Sequence, residues 1–420
     1  MTNDNSRTRA VIVGIAERGS DVLECERSLD ELTRLLDTAG GEVCARVVQV
    51  KESFDPRTCI GSGKVREVSE LCGSLSADLV IFDFELTPAQ IRNLEGDIGG
   101  DITVIDRSML ILDIFALHAV SGEGKLQVEL AQLRYSAPRL MGKGKDMSRL
   151  GGGIGTRGPG ETKLESDRRH LKEKVVALER RLAEMEHNRS VMRASRDRSG
   201  LTKIAIVGYT NAGKSTLLNA LTDAGVLSED KLFATLDPTT RKLELPSGET
   251  VLITDTVGFI RKLPHHLVKA FKSTLDEVVY ADILMIVSDA TDSELPEHLN
   301  VTEEVIEELG ASGKPTVFVY NKCDMLEEKI SPFDSDSAVA ISAKTGEGIP
   351  RLLSVIEEQL AKFKRKYKLF IPYTAQSAFS AICDAYTAED IEYTDTGVSL
   401  TAVLDERGRG LYGKYIVQRI

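Results

Sequence analysis

The chain has 420 residues, 42% of them hydrophobic and 28% charged, with a formal net charge of −12. That length exceeds one ordinary core and predicts two to four domains, while the composition excludes a disordered chain. The acidic total argues against a generic nucleic-acid binder, and no run is apolar enough to cross a bilayer.

The most apolar stretch, Ile102–Val120, is interrupted by Asp106, Arg107, Asp113 and His118, and the start Met-Thr-Asn-Asp-Asn has no basic-then-apolar secretory pattern. Six scattered cysteines (Cys25, Cys44, Cys59, Cys72, Cys323, Cys383) form no CxxC pair and read as free thiols. A cytoplasmic monomer with no membrane span is the expectation.

Ala10–Ala16, Val43–Val50, Asp78–Phe84 and Ile102–Ile105 read as buried strands, short and rich in Val and Ile. Leu29–Ala39, Val65–Leu75 and Pro88–Leu94 read as helices, and the alternation predicts a parallel α/β domain over residues 1–138. A helix near Lys125–Ser136 leads into Met141-Gly-Lys-Gly-Lys145 and the glycine-rich run Gly151–Gly160, expected to be an exposed, mobile loop. Next, Leu164, Leu171, Val175, Leu178, Leu182 and Met185 recur at spacings of 7, 4, 3, 4 and 3. This heptad seam predicts a long helix packed as a hairpin or against a neighbouring domain. Arg193–Gly200 reads as a polar linker out of it.

Residues 139–200 form this second unit. From Arg139 to Lys203 stand 17 Lys and Arg against 9 Asp and Glu. Such a basic middle suits either a surface aimed at a polyanion or a solvated charged helix. Strand-then-helix rhythm resumes over residues 201–366. Residues 367–420 alternate short strands with one helix near Ala378–Ala385, a piece small enough to lean on its neighbour for a core.

Ile204–Val207 reads as a buried strand, followed by Gly208-Tyr209-Thr210-Asn211-Ala212-Gly213-Lys214-Ser215 and the helical Thr216–Leu221. This is GxxxxGK[ST] between strand and helix. The glycines turn successive N–H groups inward around phosphate oxygens, and the helix N-terminus adds partial positive charge. Lys214 can reach the β- and γ-phosphates, and the Ser215 hydroxyl can ligate Mg²⁺. A second strand ends in Asp255-Thr256-Val257-Gly258, where Asp255 can hold the Mg²⁺ shell through water and the Gly258 N–H can face the γ-phosphate. A third ends in Asn321-Lys322-Cys323-Asp324. A carboxylate at Asp324 matches the N1–H and N2–H₂ donors of guanine, whereas adenine has an acceptor at N1, so GTP and GDP are the expected ligands. Val339–Ile341 leads to Ser342-Ala343-Lys344, where the Ala343 N–H can read guanine O6.

These loops fall at the carboxyl ends of strands, where open α/β sheets bind ligands. Between the first two motifs, Lys231–Thr240 offers Thr235, Thr239 and Thr240 to a switch loop that needs a Mg²⁺-binding hydroxyl. The predicted class is therefore α/β and multidomain: a central P-loop GTPase domain with an N-terminal parallel α/β domain, a helical linker and a small C-terminal α+β domain. Two other readings stay open. One is an NTP-driven metabolic enzyme, for which no titratable cluster stands in the N-terminal sheet; the other is a GTP-gated signalling scaffold.

Along nearly its whole length the chain resembles the HflX family of GTPases, within the translation-factor-related group. The marks are Cys59-Ile-Gly-Ser-Gly-Lys64, Gly158-Pro-Gly-Glu-Thr-Lys-Leu-Glu165, Gly208–Thr216, Phe233-Ala234-Thr235-Leu236-Asp237, and Asp255-Thr-Val-Gly-Phe259. The resemblance selects Thr235 as the second Mg²⁺-binding hydroxyl, beside Phe233, Ala234, Leu236 and Asp237, and makes Lys214, Thr235 and Gly258 the catalytic set. It implies binding to the large ribosomal subunit and its RNA, nucleotide-dependent subunit splitting and rescue of stalled ribosomes. It also implies that the N-terminal domain and the glycine-rich loop reach toward the peptidyl-transferase region.

Gly61-Ser-Gly-Lys64 lies in a domain suspected, in the family, of a second nucleotide site; it is too short for a P-loop and reads better as a turn before a helix. Phe259 stands where many Ras-like switches carry the Gln that orients water, so slow intrinsic hydrolysis is expected. Asn211 resembles the asparagine that coordinates K⁺ in several cation-dependent GTPases; the alternative is a turn residue bonding its own backbone.

Overall fold

The computed structural model describes residues 7–17, 22–51, 53–140, 159–198, 201–222, 225, 232–233, 236–262, 264, 267, 272–326, 337–363, 365–386, 388–404 and 406–419. The first sheet contains β1 (Arg9–Glu17), β2 (Glu42–Lys51), β3 (Leu79–Phe82) and β4 (Thr103–Asp106) in the order β2-β1-β3-β4, with every pairing parallel. Four helices alternate with these strands: α1 (Val22–Thr38), α2 (Ser62–Leu75), α3 (Pro88–Ile98) and α4 (Arg107–His118). Ala10, Val11, Ile12 and Val13 are all fully buried, because a central parallel strand is covered on both faces. Leu29, Leu32, Ile111 and Phe115 from α1 and α4 cover one face; Val65, Val68, Ile91 and Leu94 from α2 and α3 cover the other. The Gly61–Lys64 stretch is the start of α2, with Gly61 at its N-cap and Lys64 paired with Glu67 at 2.8 Å.

Helix α4 is an element that the apolar pattern does not reveal. The charges interrupting Ile102–Val120 are its fixtures: Asp106 caps the first turn, accepting from the Met109 N–H at 3.0 Å, and Arg107 is buried between Glu31 and Asp83.

Helices α5 (Gly122–Leu140) and α6 (Pro159–Arg198) form a hairpin, one of the two packings the heptad seam left open. Leu126, Leu130 and Leu178 are buried in the seam, with Val175, Leu182 and Met185 packed against them. Ion pairs Arg134–Glu179 (2.6 Å), Lys174–Glu129 (2.8 Å) and Arg189–Glu123 (3.3 Å) run along its rim. Arg193–Arg198, expected as linker, continues α6, since Arg and Ala favour helix. Of the glycine-rich loop expected over Met141–Gly160, residues 141–158 lie outside the described residues, while Pro159 and Gly160 begin α6 instead.

The central sheet is made of β5 (Lys203–Val207), β6 (Thr239–Glu244), β7 (Thr250–Asp255), β8 (Ile283–Asp289), β9 (Thr316–Asn321) and β10 (Ala338–Ala340) in the order β10-β9-β8-β5-β7-β6; only β6 is antiparallel. Its helices are α7 (Lys214–Thr222), α8 (Lys272–Tyr280), α9 (Leu295–Glu308) and α10 (Ile349–Phe363). One apolar cluster runs from α1 and α4 of the first domain into Leu232, Phe233, Phe259 and Ile260 of the second, including a T-shaped Phe115–Phe233 pair at 4.6 Å.

The last unit holds β11 (Arg365–Pro372), α11 (Gln376–Ala385), β12 (Ala388–Tyr393), β13 (Gly397–Leu404), α12 (Glu406–Tyr412) and β14 (Ile416–Arg419). Its antiparallel sheet has the order β12-β13-β11-β14. Rather than leaning on its neighbour, it buries Tyr367, Leu369, Ile371, Ile382, Leu400 and Ala402 in a cluster of its own. Among the described residues no helix is long and apolar enough to cross a membrane, and all six cysteines are free.

Candidate nucleotide site

Strand β5 stops at Val207 and the chain turns sharply over β8. Gly208 (φ 145°) passes so close that a Cβ would lie 2.1 Å from the Val287 carbonyl oxygen, and a Cβ on Gly213 (φ 92°) would lie 2.2 Å from the Asn321 amide nitrogen. Only glycine fits either position. Asn211 takes the left-handed conformation at φ 61°, as a turn residue does.

Lys214, at the start of α7, is folded back into the loop. Its ammonium donates to the Gly208 (3.1 Å) and Tyr209 (2.7 Å) carbonyls, which uses two of its three N–H donors. Burial lowers its pKa to about 8, against the opposing pull of Asp255. The Ser215 hydroxyl donates to the Asp255 carboxylate at 2.6 Å, so the two oxygens expected around Mg²⁺ already meet.

Beyond Asp255, the Thr256 hydroxyl donates to the Ile206 carbonyl (2.7 Å) and the Val257 side chain joins the core; both serve the scaffold. Gly258 lies against the loop, where a Cβ would sit 2.8 Å from Thr210 Cα and 2.9 Å from the Lys214 ammonium. The Phe259 side chain is fully buried, consistent with its inability to place water.

Asn321 ties two loops together: its amide donates to the Ala212 carbonyl (2.8 Å), and its oxygen accepts the Ala343 N–H (2.9 Å). The Ala343 N–H expected to read guanine O6 is therefore engaged by Asn321. Lys322 (φ 67°) pairs with Asp289 at 2.7 Å, and the Cys323 N–H bonds the Ile341 carbonyl at 3.0 Å. The buried Ser342 accepts the Thr345 N–H at 3.1 Å, fixing the last loop. Asp324 is exposed on the short helical turn Cys323–Met325, free to meet a base.

The segment between β5's loop and β6 departs from expectation. Ala234 and Thr235 lie outside the described residues. Phe233 (φ 57°) and Leu236 are buried in the cluster shared with α1 and α4, an apolar environment unsuited to a nucleotide contact. Asp237 turns away to the start of α5, accepting the Val120 (3.0 Å) and Ser121 (2.7 Å) N–H groups and the Ser121 hydroxyl. An N-terminal helix end attracts a carboxylate, which accounts for this placement. Thr239 and Thr240 open β6, with Thr240 Oγ1 2.9 Å from Thr254 Oγ1, and so belong to the sheet.

Residues 26–116, 118–196 and 203–322 match family profiles described as GTP-binding GTPase N-terminal, GTP-binding GTPase Middle Region and 50S ribosome-binding GTPase. GTPase HflX of Caldanaerobacter subterraneus subsp. tengcongensis is 49% identical over 396 residues, covering 94% of this chain and 91% of that one. The chain belongs to the HflX family of GTPases. GTPase HflX of Escherichia coli is 45% identical over 350 residues, 82% of each chain. A GTP-binding protein of Sulfolobus solfataricus, solved with GDP, is similar at 26% identity over 85% of this chain and 99% of that one, with a TM-score of 0.43. As an HflX GTPase, this protein binds guanine nucleotide and hydrolyses GTP.

A buried network that the sequence did not suggest surrounds Tyr209. Its hydroxyl donates to Glu31 of α1 and accepts the Arg261 N–H at 2.8 Å. Burial first, then the Glu31 charge, push the phenol far above its ordinary pKa, so it remains a donor. The visible signal was the presence of Asp83 and Arg107 within apolar runs, where charges persist only when paired; Glu31, beside Asp30 and near Arg34, gave none.

Proposed function

We propose that this HflX GTPase is a nucleotide-dependent switch that binds the large ribosomal subunit and splits or rescues stalled ribosomes. The observation that carries the reading is the convergence of Gly208–Ser215, Asp255–Gly258, Asn321–Asp324 and Ser342–Ala343 at the carboxyl ends of β5, β7, β9 and β10. The match of residues 203–322 to 50S ribosome-binding GTPases supports the partner. In this reading the Gly208–Ser215 amides and Lys214 hold the phosphates, Gly258 presents its N–H to the terminal one, and Asp324 selects guanine.

The Ser215 hydroxyl and Asp255 carboxylate, 2.6 Å apart, are hard oxygen donors that fit Mg²⁺ and not a thiolate- or imidazole-bound metal. Ser215 and Thr235 would hold it, with Asp255 acting through water, and when bound it neutralises phosphate charge. K⁺ at Asn211 is a further clause: faster turnover in K⁺ than in Na⁺, lost in Asn211→Ala, tests it.

The exposed cations Arg169, Lys172, Arg180 and Arg181 of α6 suit ribosomal RNA, and a monomer acting in the cytoplasm suits the whole reading. Because Phe259 is buried, the partner is expected to complete water positioning. Co-sedimentation with purified large subunits tests the proposal. Binding should be stronger with a GTP analogue than with GDP and should weaken steeply with salt. Guanine nucleotide binding without subunit binding would favour the GTP-gated scaffold instead.

A further inference from the structure

The segment Gly258–Lys262 is gripped from two sides. Along the P-loop, the Thr210 N–H donates to the Phe259 carbonyl (2.8 Å) and the Phe259 N–H to the Gly208 carbonyl (3.1 Å). Two residues on, both backbone polar groups of Arg261 are held by side chains. Its N–H donates to the Tyr209 hydroxyl at 2.8 Å, and its carbonyl accepts from the Arg107 guanidinium at 3.2 Å. Tyr209 is itself fixed, its hydroxyl on Glu31 and its ring stacked on His298 with centroids 3.7 Å apart and planes 12° apart. Lys262 then adopts φ 51°, a conformation disfavoured for a lysine, and its ammonium bonds Ser28 and Asp83, each at 2.9 Å. Strain of this kind persists only where surrounding contacts over-determine it.

The same segment occupies one donor of the phosphate loop. The Thr210 N–H, which faces the phosphate position in this reading, is spent on the Phe259 carbonyl. We infer that Tyr209 is a positioning residue that sets the preference between GTP and GDP. Its hydroxyl keeps Arg261, and through it the Phe259–Thr210 pair, on the P-loop, and a third phosphate binds at the expense of that pair. A diphosphate makes no such demand. A ligand shifts a two-state segment only by its differential affinity for the two states, so loosening the grip favours GTP over GDP. The inference rests on the assignment of Gly208–Ser215 to the phosphates.

Tyr209→Phe keeps the ring and its stack but removes the hydroxyl; Lys262→Ala cuts the grip from the opposite side while leaving the loop intact. Affinities for GDP and a non-hydrolysable GTP analogue are measured on the full chain by titration calorimetry. Each variant should raise the ratio of analogue to GDP affinity by about three- to ten-fold, the worth of one buried hydrogen bond. A merely structural hydroxyl would lower both affinities together with the ratio constant. That outcome, or an unchanged ratio in folded variants, overturns the inference. A parent chain that binds neither nucleotide would instead remove the phosphate-loop assignment beneath it.

Discussion

Arg107→Met removes the cation from a fully buried charge network while keeping much of the side chain's length and bulk. The guanidinium is 2% exposed and holds Glu31, Asp83 at 2.7 Å and the Arg261 carbonyl at 3.2 Å. In the variant Asp83 keeps Lys262 at 2.9 Å, and Glu31 keeps the Tyr209 hydroxyl, so the loss falls hardest on Glu31. Removing one partner of a buried ion network costs about 3–5 kcal/mol, and the retained partners place this case near ~3 kcal/mol. With a urea slope of roughly 2–3 kcal/mol per M, the unfolding midpoint should fall by about 1–1.5 M. The chain has no tryptophan, so circular dichroism is the suitable probe. Combined with Glu31→Gln, the two costs should fall short of additivity by about 1 kcal/mol or more, since the second change removes the charge that the first leaves unpaired. A midpoint within ~0.3 M of the parent, or additive costs, would refute the network's role.

Asp237→Ala removes the carboxylate that accepts two N–H groups and the Ser121 hydroxyl at the start of α5 and should cost about 1–2 kcal/mol. Amide exchange should speed up over Val120–Gly124; unaltered exchange there would return Asp237 to the nucleotide. Lys214, held near pKa 8 by burial, is mostly neutral at pH 9, and a phosphate raises its pKa again. Nucleotide binding at pH 9 should therefore take up close to one proton and weaken as pH rises through 8, as read by calorimetry in buffers of different ionisation enthalpy; binding without uptake contradicts this. Asp324→Asn should weaken GTP binding by at least about ten-fold and favour xanthosine triphosphate, whose ring offers the reverse pairing. Unchanged GTP affinity would move the base site elsewhere.

What could be read from sequence was chemistry confined to short contiguous runs. Gly208 and Gly213 announced the phosphate loop because only glycine tolerates the approach of Val287 and Asn321. The Leu178 seam was equally legible, since its period survives wherever the partner helix lies. Helix α4 was obscured because its cap, Asp106, and its buried Arg107 look like interruptions when their partners are unseen. Glu31 meets Arg107 and Tyr209 only in the folded chain, at separations of 76 and 178 residues, beyond any local pattern. Asp237 was placed at the nucleotide by its neighbours in the chain, whereas a helix end brought from residue 121 captured its carboxylate.

On the proposed function, a ribosomal partner completes a GTPase site in which position 259 contributes no polar side chain. GTP turnover by the full chain, with and without purified large ribosomal subunits, tests it most directly. Turnover should be slow alone and rise about ten-fold or more with large subunits, equivalent to ~1.4 kcal/mol of barrier. Equal turnover in the two conditions would contradict it.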